Sequence, residues 1–293
     1  MEALLDHVRS QLRAVFAGRS VILAGGVAAS AVQPVDQLRG LGAERFLVVS
    51  SGTGTGRGPD GPDVELLTLE RGGPAADLIA SFREDEREIA RPSDDVLDAL
   101  RRFDDLGDAI VLVPPFLDVR KLGNRRVFGA RRSEWVAIED KTLADELFDA
   151  TDVPRPPSAV VPADPSSISR AAAALDRGGG TVWSGDAREG FNGAGAYVRW
   201  VRDEADRREA LDVLLPCCDR VRVASFVDGV PCSIHGFVVD AGVAAFRPVE
   251  LVTLRAPSPP RLRYCGCATY FDPPADHVVT MRAAVRRVGE YLR

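Results

Sequence analysis

The chain contains very little lysine: only two of its 37 lysine and arginine residues are lysines, Lys121 and Lys141. An ammonium is a compact charge that suits a phosphate oxygen in a tight pocket, whereas a guanidinium is a larger planar fork. A lysine retained in so arginine-rich a sequence is therefore a candidate for a role that arginine cannot fill. Lys141 follows an apolar run, 135–138, that predicts a strand turning directly into a helix. The alternative for Lys141 is a surface lysine near a helix start.

Membrane and secretion signals are also missing from the sequence. No apolar run approaches the length of a membrane span. The N-terminus lacks the basic and apolar regions of a signal peptide, so we expect a cytoplasmic protein without membrane contact. The net charge of −6 and the pI near 5.3 argue against a nucleic-acid binder, which carries a basic face. The 293 residues are enough for two or three domain-sized units.

Cysteine is sparse, and its spacing favours neither disulfides nor zinc. The five cysteines are Cys217, Cys218, Cys232, Cys265 and Cys267. An odd count argues against a disulfide framework, and no pair has the C-x2-C spacing of zinc sites. In a predicted strand, Cys232 and His235 point to opposite faces. We therefore interpret the cysteines as small buried side chains.

The first half of the sequence alternates strands and helices. Apolar runs at 20–26, 45–50, 64–69 and 109–115 predict strands, and helical spacing recurs at 35–41, 75–88 and 96–103. This alternation predicts an open, mostly parallel sheet of Rossmann-like topology. Neither glycine-rich place, 25–26 or 52–58, fits a dinucleotide fingerprint, and there is no P-loop. We predict a flexible surface loop at 52–58.

The second half predicts a different arrangement. A helix follows Lys141, another spans 165–175, and a hairpin spans 181–198. The hairpin tip contains three glycines, Gly190, Gly193 and Gly195, which allow backbone N–H groups to approach phosphates closely. Strands with an Asp-Gly turn follow at 221–242, and a helix ends the sequence at 275–293. The proline-rich stretch 255–261 predicts an exposed connection, with a substrate-facing loop as the alternative.

The order of these blocks resembles the ATP-grasp superfamily. The step Glu139-Asp-Lys141 is similar to the family's "DK" segment, and Asp152-Val-Pro-Arg-Pro to its "G-(V/I)-P-x-P" step. The hairpin 181–198 stands where the phosphate-covering glycine loop belongs. The run 223–229 resembles the "E-x-(F/Y)-(I/V)-x-G" hinge, whose backbone meets the adenine edge.

The resemblance implies an α/β fold with three parts. A Rossmann-like pre-ATP-grasp domain is expected at 1–133, an ATP-grasp N-terminal subdomain with the glycine-rich hairpin at 134–210, and a C-terminal subdomain at 211–293. Together the last two would form an incomplete α+β ATP-grasp domain. The implied activity is an ATP-dependent carboxylate–amine (or peptide) ligase acting through an acyl phosphate. Its cofactors would be ATP and Mg, its partners a small-molecule carboxylate and amine, and a homo-oligomer is allowed.

The resemblance also implies a set of site residues. Lys141 would bind phosphate, 188–195 would close over it, and 224–227 would offer backbone contacts to adenine. Arg188 would be the catalytic cation, with a solvated loop arginine as the alternative. The nucleotide-binding set is Lys141, Trp183, Glu189, Gly190, Phe191, Asn192, Gly193, Gly195, Ala224, Ser225, Phe226, Val227 and Asp228.

Two positions depart from the family pattern. The family's lysine at the entry to the glycine loop is replaced by Trp183 or Ser184. The acid that often holds the ribose falls near Val230-Pro231, so Asp228 would substitute for it, unless Asp228 is only a turn residue.

The family's metal-binding segment, "E-(I/L/F)-N-x-R", has no counterpart in the sequence. The local acids Glu189 and Glu250 do not match it, so the metal ligands are unidentified. We expect a fragment of a longer enzyme, because ending before that strand would leave an open sheet edge. The alternatives are a non-catalytic nucleotide-binding or regulatory module and a dinucleotide-dependent oxidoreductase, which lacks its fingerprint.

Overall fold

The structure divides into two compact units. A computed structural model of the chain describes residues 2–69, 73, 75, 78–131, 133–190, 193, 195–239, 242–257 and 260–293. Contacts within the chain separate Met1–Ser133 from Glu134–Arg293, and each unit is described by itself below. Among the described residues, no helix combines the length and the apolar character needed to cross a membrane.

Within the part that the structure describes, the first unit is built on a six-stranded sheet. Its strands are β1 (Ser20–Ala24), β2 (Arg45–Ser50), β3 (Val64–Thr68), β4 (Ile110–Leu112), β5 (Lys121–Leu122) and β6 (Arg125–Phe128), in the order β3-β2-β1-β4-β6-β5. Its helices are α1 (Glu2–Phe16), α2 (Val32–Gly40), α3 (Leu78–Ala90) and α4 (Asp94–Phe103), with a 3-10 helix at Ala28–Ala31. All neighbouring strands are parallel except β5 and β6. The predicted α/β class is confirmed, but β5 and β6 were missed because arginines interrupt their short apolar runs.

The apolar runs of β1 and β2 are continuous because the sheet is covered on both faces. In β1, Val21 packs in one core with Val35 and Phe46. The next residue, Ile22, packs in the other core with Leu100. A parallel sheet buried on both sides requires this pattern.

A buried ion pair joins α4 to β6. Arg125 Nε donates to Asp104 Oδ2 at 2.9 Å, and both side chains are less than one-tenth exposed. Burial alone raises the pKa of the Asp104 carboxyl. The hydrogen bonds from Arg125 and from the N–H groups of Ala109 and Asp108 outweigh burial, so the pKa lies below its usual range. Asp104 is therefore ionised in the folded unit at neutral pH.

We predict that Asp104→Asn destabilises the protein by about 3–5 kcal/mol at pH 7, because Arg125 is left buried without its counter-charge. A carboxyl with a depressed folded pKa contributes stability above its unfolded pKa, near 3.9, and loses it as the pH falls through the folded value. The wild-type advantage in free energy of unfolding should therefore shrink below about pH 4. Urea unfolding at several pH values measures this difference in free energy of unfolding, and the exposed Asp36→Asn variant is the control. A pH-independent difference would contradict this account.

In its described residues, the second unit contains three sheets and five helices. The strands are β7 (Ser158–Pro162), β8 (Thr181–Gly185), β9 (Val198–Val201), β10 (Arg220–Ser225), β11 (Cys232–Ser233), β12 (Gly236–Val239), β13 (Gly242–Ala245), β14 (Val249–Pro257) and β15 (Pro260–Ala268). The helices are α5 (Ser133–Glu139), α6 (Ala144–Ala150), α7 (Pro165–Leu175), α8 (Glu204–Cys217) and α9 (Ala275–Leu292). The sheets are β7-β10-β8-β9, β11-β14-β15 and β12-β13. The predicted hairpin at 181–198 and the helices at 165–175 and 275–293 are confirmed.

Two local predictions are wrong. The run 135–138 belongs to helix α5, not to a strand, and its Trp135 and Ile138 are largely exposed. A short apolar run does not distinguish the two structures, and a spacing of three places both side chains on one helix face. The described residues of the stretch 255–261 belong to strands and not to an irregular connection, since β14 extends to Pro257 and β15 begins at Pro260. Prolines at strand ends do not interrupt the ladder.

The predicted subdomain boundary at 210/211 falls inside α8. Strand β10 lies beyond this boundary, yet it pairs with β7 and β8. The sheet that contains the glycine-rich hairpin therefore continues to Ser225.

The core of this sheet is centred on Trp183. Its register opposite Val223 places it on the helix-covered face, where it packs with Ile168 and Leu214. The side chain is 0% exposed, and its indole Nε1 donates to Thr181 Oγ1 at 2.8 Å. Trp183 is thus a structural residue of this unit.

We predict that Trp183→Ala lowers the free energy of unfolding by about 3–5 kcal/mol, because it removes the largest fully buried side chain and leaves a cavity. Urea unfolding followed by circular dichroism measures the loss. Trp135→Ala, a control at a 46% exposed tryptophan, should cost less than about 1 kcal/mol. Equal losses for the two variants would show that Trp183 is not the centre of the core.

Candidate nucleotide-binding site

A cavity of about 620 Å³ lies within the second unit, between the end of β10 and the β14–β15 hairpin. Most of its lining is apolar. The described lining residues are Gly195, Val198, Phe226, Val227, Gly229, Val230, Pro231, Glu250, Leu251, Thr253, Leu262 and Tyr264. A concave, largely apolar site with a few polar groups is typical of ligand-binding pockets.

One wall of the cavity is the segment 226–231, which we call the hinge segment. The last sheet contacts of β10 are Ser225 N–H to the Pro157 carbonyl at 2.9 Å and Phe226 N–H to the Gly180 carbonyl at 3.2 Å. Beyond Phe226 the backbone leaves the sheet. Its far end is held where Leu251 N–H donates to the Pro231 carbonyl at 2.8 Å. The hinge segment therefore connects one sheet to the next along the cavity.

Phe226 is fixed at the start of the hinge segment by aromatic packing. Its ring stacks on Trp200 with centroids 4.7 Å apart. The Arg202 guanidinium lies over the Trp200 ring, 4.5 Å from its centroid. Trp200 Nε1 donates to the Gly179 carbonyl at 2.9 Å. These contacts orient Phe226, which lines the cavity.

The glycine-rich hairpin reaches the cavity at Gly195. This residue has φ of 76°, in the region that favours glycine, and a Cβ there would lie 3.5 Å from the Leu262 carbonyl oxygen. At the other end of the loop, the Tyr197 hydroxyl donates to Glu189 at 3.1 Å. Burial, together with hydrogen bonds to Cys217 and Glu189, raises the pKa of Tyr197 to about 12. Two predicted binding residues, Phe191 and Asn192, lie outside the described residues.

Lys141 lies on a turn that is clamped to the stem of this hairpin. Asp140 Oδ1 accepts from Thr142 N–H and Oγ1 at 2.8 and 2.7 Å, and its Oδ2 accepts from Ala187 N–H at 3.3 Å. Arg220, at the start of β10, donates to Thr142 Oγ1 at 3.1 Å. Burial lowers the pKa of the Lys141 ammonium, and the carboxylates of Glu139 and Asp140 oppose that shift. The clamp fixes the lysine backbone relative to the glycine-rich loop.

The Arg188 side chain contacts the C-terminal end of α8 and the residue Asp219 that follows it. Its guanidinium donates to Asp219 at 2.9 Å and to the Pro216 carbonyl at the end of α8. The hydrogen bond with Asp219 raises the pKa of Arg188. Arg188 is not among the described residues that line the cavity. The structure thus gives it a contact that ties the loop to α8, and its catalytic role stays a prediction.

Three other predicted binding residues are held inside the sheet. Trp183 is in the core, which contradicts a direct contact between its side chain and a nucleotide. Ala224 and Ser225 are buried, and Ser225 Oγ donates to the Leu175 carbonyl at 2.7 Å. Their backbone groups belong to the β10 ladder, so the exposed hinge backbone begins at Phe226, two residues later than expected. Asp228 is exposed on the hinge segment.

Sequence reasoning missed the wall formed by β14 and β15. Leu251, Thr253, Leu262 and Tyr264 line the cavity, yet no local pattern marks them, because their position depends on the packing of two sheets. On this wall the sequence pointed only to Glu250, as an acid that does not match the family's metal-binding segment.

The described residues form no metal centre. They contain no group of three or more histidine, cysteine, aspartate or glutamate side chains that could hold an ion. Magnesium is usually held by carboxylates together with phosphates and water. The described part of the chain supplies no such set, so the expected magnesium ligands stay unidentified and no step below depends on the ion.

Comparison with solved structures shows the same fold in known enzymes. The ADP complex of an N5-carboxyaminoimidazole ribonucleotide synthetase matches with a TM-score of 0.52 and 12% identity, over 94% of this chain and 64% of that one. The VanG D-Ala:D-Ser ligase from Enterococcus faecalis matches with a TM-score of 0.53 and 13% identity, over 94% and 83%. The chain has the ATP-grasp fold.

The ATP-grasp neighbours differ in length from this chain and are distant in sequence. A carboxyaminoimidazole ribonucleotide synthase from Aspergillus clavatus, in complex with ATP, matches with a TM-score of 0.50 and 14% identity, over 92% of this chain and 62% of that one. The chain thus spans less than two thirds of the length of both synthetases. No protein-family model and no curated protein matches the sequence.

We predict that Asp140→Ala loosens the clamp around Lys141. Losing the acceptor of the Ala187 N–H should raise the hydrogen-exchange rate of that amide about fivefold, as expected for one net hydrogen bond of about 1 kcal/mol. Hydrogen exchange measured by NMR or mass spectrometry tests this expected increase at Ala187. The exposed Asp212→Ala variant on α8 is the control. Unchanged exchange at 186–188 would show that Asp140 does not hold the hairpin stem.

Proposed function

We propose that the second unit binds ATP and that the chain belongs to an ATP-dependent ligase joining a carboxylate to an amine. The cavity would take the base, with its edge against the hinge backbone. The phosphates would extend toward the glycine-rich loop and Lys141. The neighbouring structures named above are ligases or synthetases, one bound to ADP and one to ATP.

The observation that carries this proposal is the joint placement of three elements. The hinge segment and Gly195 line one cavity. The opposite end of the glycine-rich loop, at Ala187, is tied through Asp140 to the turn bearing Lys141. A base bound in the cavity would therefore have its phosphates along a loop whose other end leads to an ammonium group. Glycine backbone and a lysine together are suited to a polyphosphate.

The proposed reaction has two steps. A carboxylate oxygen attacks the γ-phosphorus of ATP, which gives an acyl phosphate and ADP. The amine nitrogen then attacks the acyl carbon, phosphate leaves, and the nitrogen loses a proton as the amide forms. Positioning and neutralisation of phosphate charge supply most of the catalysis in phosphoryl transfer. Lys141 and the loop N–H groups would perform that function here.

A second candidate is a nucleotide-binding module without turnover. It is favoured by Ser184 and Trp183 at the place of the family's lysine and by the lack of an acidic cluster among the described residues. Nucleotide binding without ADP release, in any mixture of amines and carboxylates, would support this alternative.

We predict that isothermal titration shows ATP binding and that Lys141→Ala weakens it at least about tenfold, since a charge-assisted contact with phosphate is lost. The matched control is Lys121→Ala, which removes the only other lysine, an exposed residue on β5 of the first unit. Its affinity should equal that of the wild type. Titrations run with and without magnesium show whether binding depends on the ion.

Two results would contradict the proposal. The absence of ATP binding at millimolar concentration would refute a nucleotide site in this chain. Equal affinities of the wild type and Lys141→Ala would remove Lys141 from that site. Binding of NAD(P) in place of ATP would instead support an oxidoreductase.

A further inference from the structure

Two exposed cysteines lie on β15 with a single glycine between them. Cys265 and Cys267 are exposed, whereas Cys218 is buried and Cys217 and Cys232 are half-buried. The expectation of small buried side chains is therefore wrong for this pair. Burial raises the pKa of the Cys218 thiol to about 12 and also raises that of Cys232, so both of these thiols stay protonated at neutral pH. The exposed pair is thus the one that a reagent in solution can reach.

The pair lies at an irregularity in the β14–β15 ladder. Gly266 lies opposite Val252. The next pair along the ladder joins Tyr264 to Thr253, so Cys265 is the extra residue of a β-bulge. Gly266 has φ of 143°, a conformation that other residues rarely adopt. The chain between the two cysteines is therefore bent at a glycine.

This bend keeps the two cysteines within reach of a disulfide bond. In a regular strand, residues two apart have Cα atoms about 6.6 Å apart, because each residue adds about 3.3 Å. The Cα atoms of disulfide-bonded cysteines lie about 4.4–6.8 Å apart. In β15, the three steps from Tyr264 to Cys267 run alongside only two steps of β14, from Thr253 to Leu251. The segment that holds both cysteines is therefore less extended than a regular strand.

The contacts that hold the two sulfur atoms are weak. Cys265 Sγ donates to the Arg263 carbonyl at 3.5 Å, and the Cys267 thiol shares a hydrogen bond with the Tyr264 side chain. A thiol is a weak donor and a weak acceptor. Exposed side chains also change rotamer within nanoseconds. Rotation that brings the two sulfur atoms together is therefore inexpensive.

Cys267 borders the candidate nucleotide cavity. It lies opposite Leu251, which lines the cavity together with Tyr264. Because the bulge adds one residue, Cys267 lies on the same face as Tyr264 although the two are three positions apart. Burial raises the pKa of the Tyr264 hydroxyl, and the charge of a Cys267 thiolate and its hydrogen bond raise it further. A chemical change at Cys267 therefore acts on the wall of the cavity.

We propose that Cys265 and Cys267 are a modification site that closes reversibly to a disulfide and thereby weakens binding in the adjoining cavity. The oxidant is a small-molecule disulfide such as oxidised glutathione. One thiolate of the pair attacks a sulfur of this molecule and displaces a thiol, which leaves a mixed disulfide. The other thiolate attacks the protein sulfur of the mixed disulfide and displaces the second thiol. Two electrons pass to the oxidant, and the two protons of the pair end on the displaced thiols.

The disulfide changes the cavity wall in two ways. It removes the Cys267 thiol from its hydrogen bond with Tyr264. It also closes a small ring around Gly266, which fixes the bulge in one geometry next to the strand that carries Leu251. The effect on ATP rests on the proposed function, whereas formation of the disulfide does not.

The test treats the reduced full chain with excess oxidised glutathione, alkylates the remaining thiols and maps the tryptic peptides by mass spectrometry. Cleavage after Arg263 and Arg282 gives peptide 264–282, which contains Cys265 and Cys267 and no other cysteine. Most of this peptide should be lighter than its reduced form by two hydrogen atoms and carry neither glutathione nor an alkyl group. Dithiothreitol should restore both thiols.

Isothermal titration then measures ATP affinity before and after oxidation. Oxidation of the wild type should weaken ATP binding about fivefold, as expected for loss of one net hydrogen bond in the wall, and reduction should restore it. The Cys265→Ser/Cys267→Ser double variant should show the same affinity with and without the treatment. Cys232→Ser on β11 is the second control and should respond to oxidation as the wild type does.

Each contrary result has a distinct meaning. Peptide 264–282 with glutathione or alkyl groups but no internal disulfide overturns the proposal, as does a disulfide that joins this peptide to Cys232. An internal disulfide that leaves ATP affinity unchanged overturns the link to the cavity. If the reduced chain binds no ATP, the proposed function fails, while the mass of the peptide still decides whether the disulfide site exists. Circular dichroism confirms that the variants are folded.

Discussion

The exit of β10 from its sheet is the constraint on which the candidate site depends. Two backbone hydrogen bonds, from Ser225 N–H and Phe226 N–H, mark the end of the ladder. The stack of Phe226 on Trp200 then directs the next residues away from the sheet. A cavity exists beside this segment because the β14–β15 hairpin is held against its far end, at Pro231. Loss of any of these contacts would change the shape of the cavity.

Strand β10 also positions the start of α6, the helix that follows the turn bearing Lys141. The odd-numbered residues Val221 and Val223 face the helix-covered core, whereas Arg222 faces the opposite side and donates to Asp145 of α6 at 2.8 Å. Ser158 Oγ donates to the second oxygen of Asp145 at 2.8 Å. Such a buried ionic network contributes little net stability, but breaking it is costly, so it fixes the position of α6. One strand therefore positions both the hinge segment and the start of α6.

Local signals in the sequence were enough for much of the fold but not for the walls of the site. Glycines and flanking apolar runs predicted the 181–198 hairpin, because turn and strand preferences act over a few residues. Trp183 was predicted to contact the nucleotide, and only its register opposite Val223 shows that its side chain faces the core. Glu250 could not be placed at all, since its position depends on packing between strands far apart in the sequence.

The central claim is that the cavity between the hinge segment and the β14–β15 hairpin binds a nucleotide, and a crystal structure of the chain with ADP tests it most directly. The account predicts density for the base between Phe226 and Leu262, both of which line the cavity, with the phosphates running along 187–195. ADP bound elsewhere, or a cavity closed by side chains in crystals grown with saturating ADP, would contradict it.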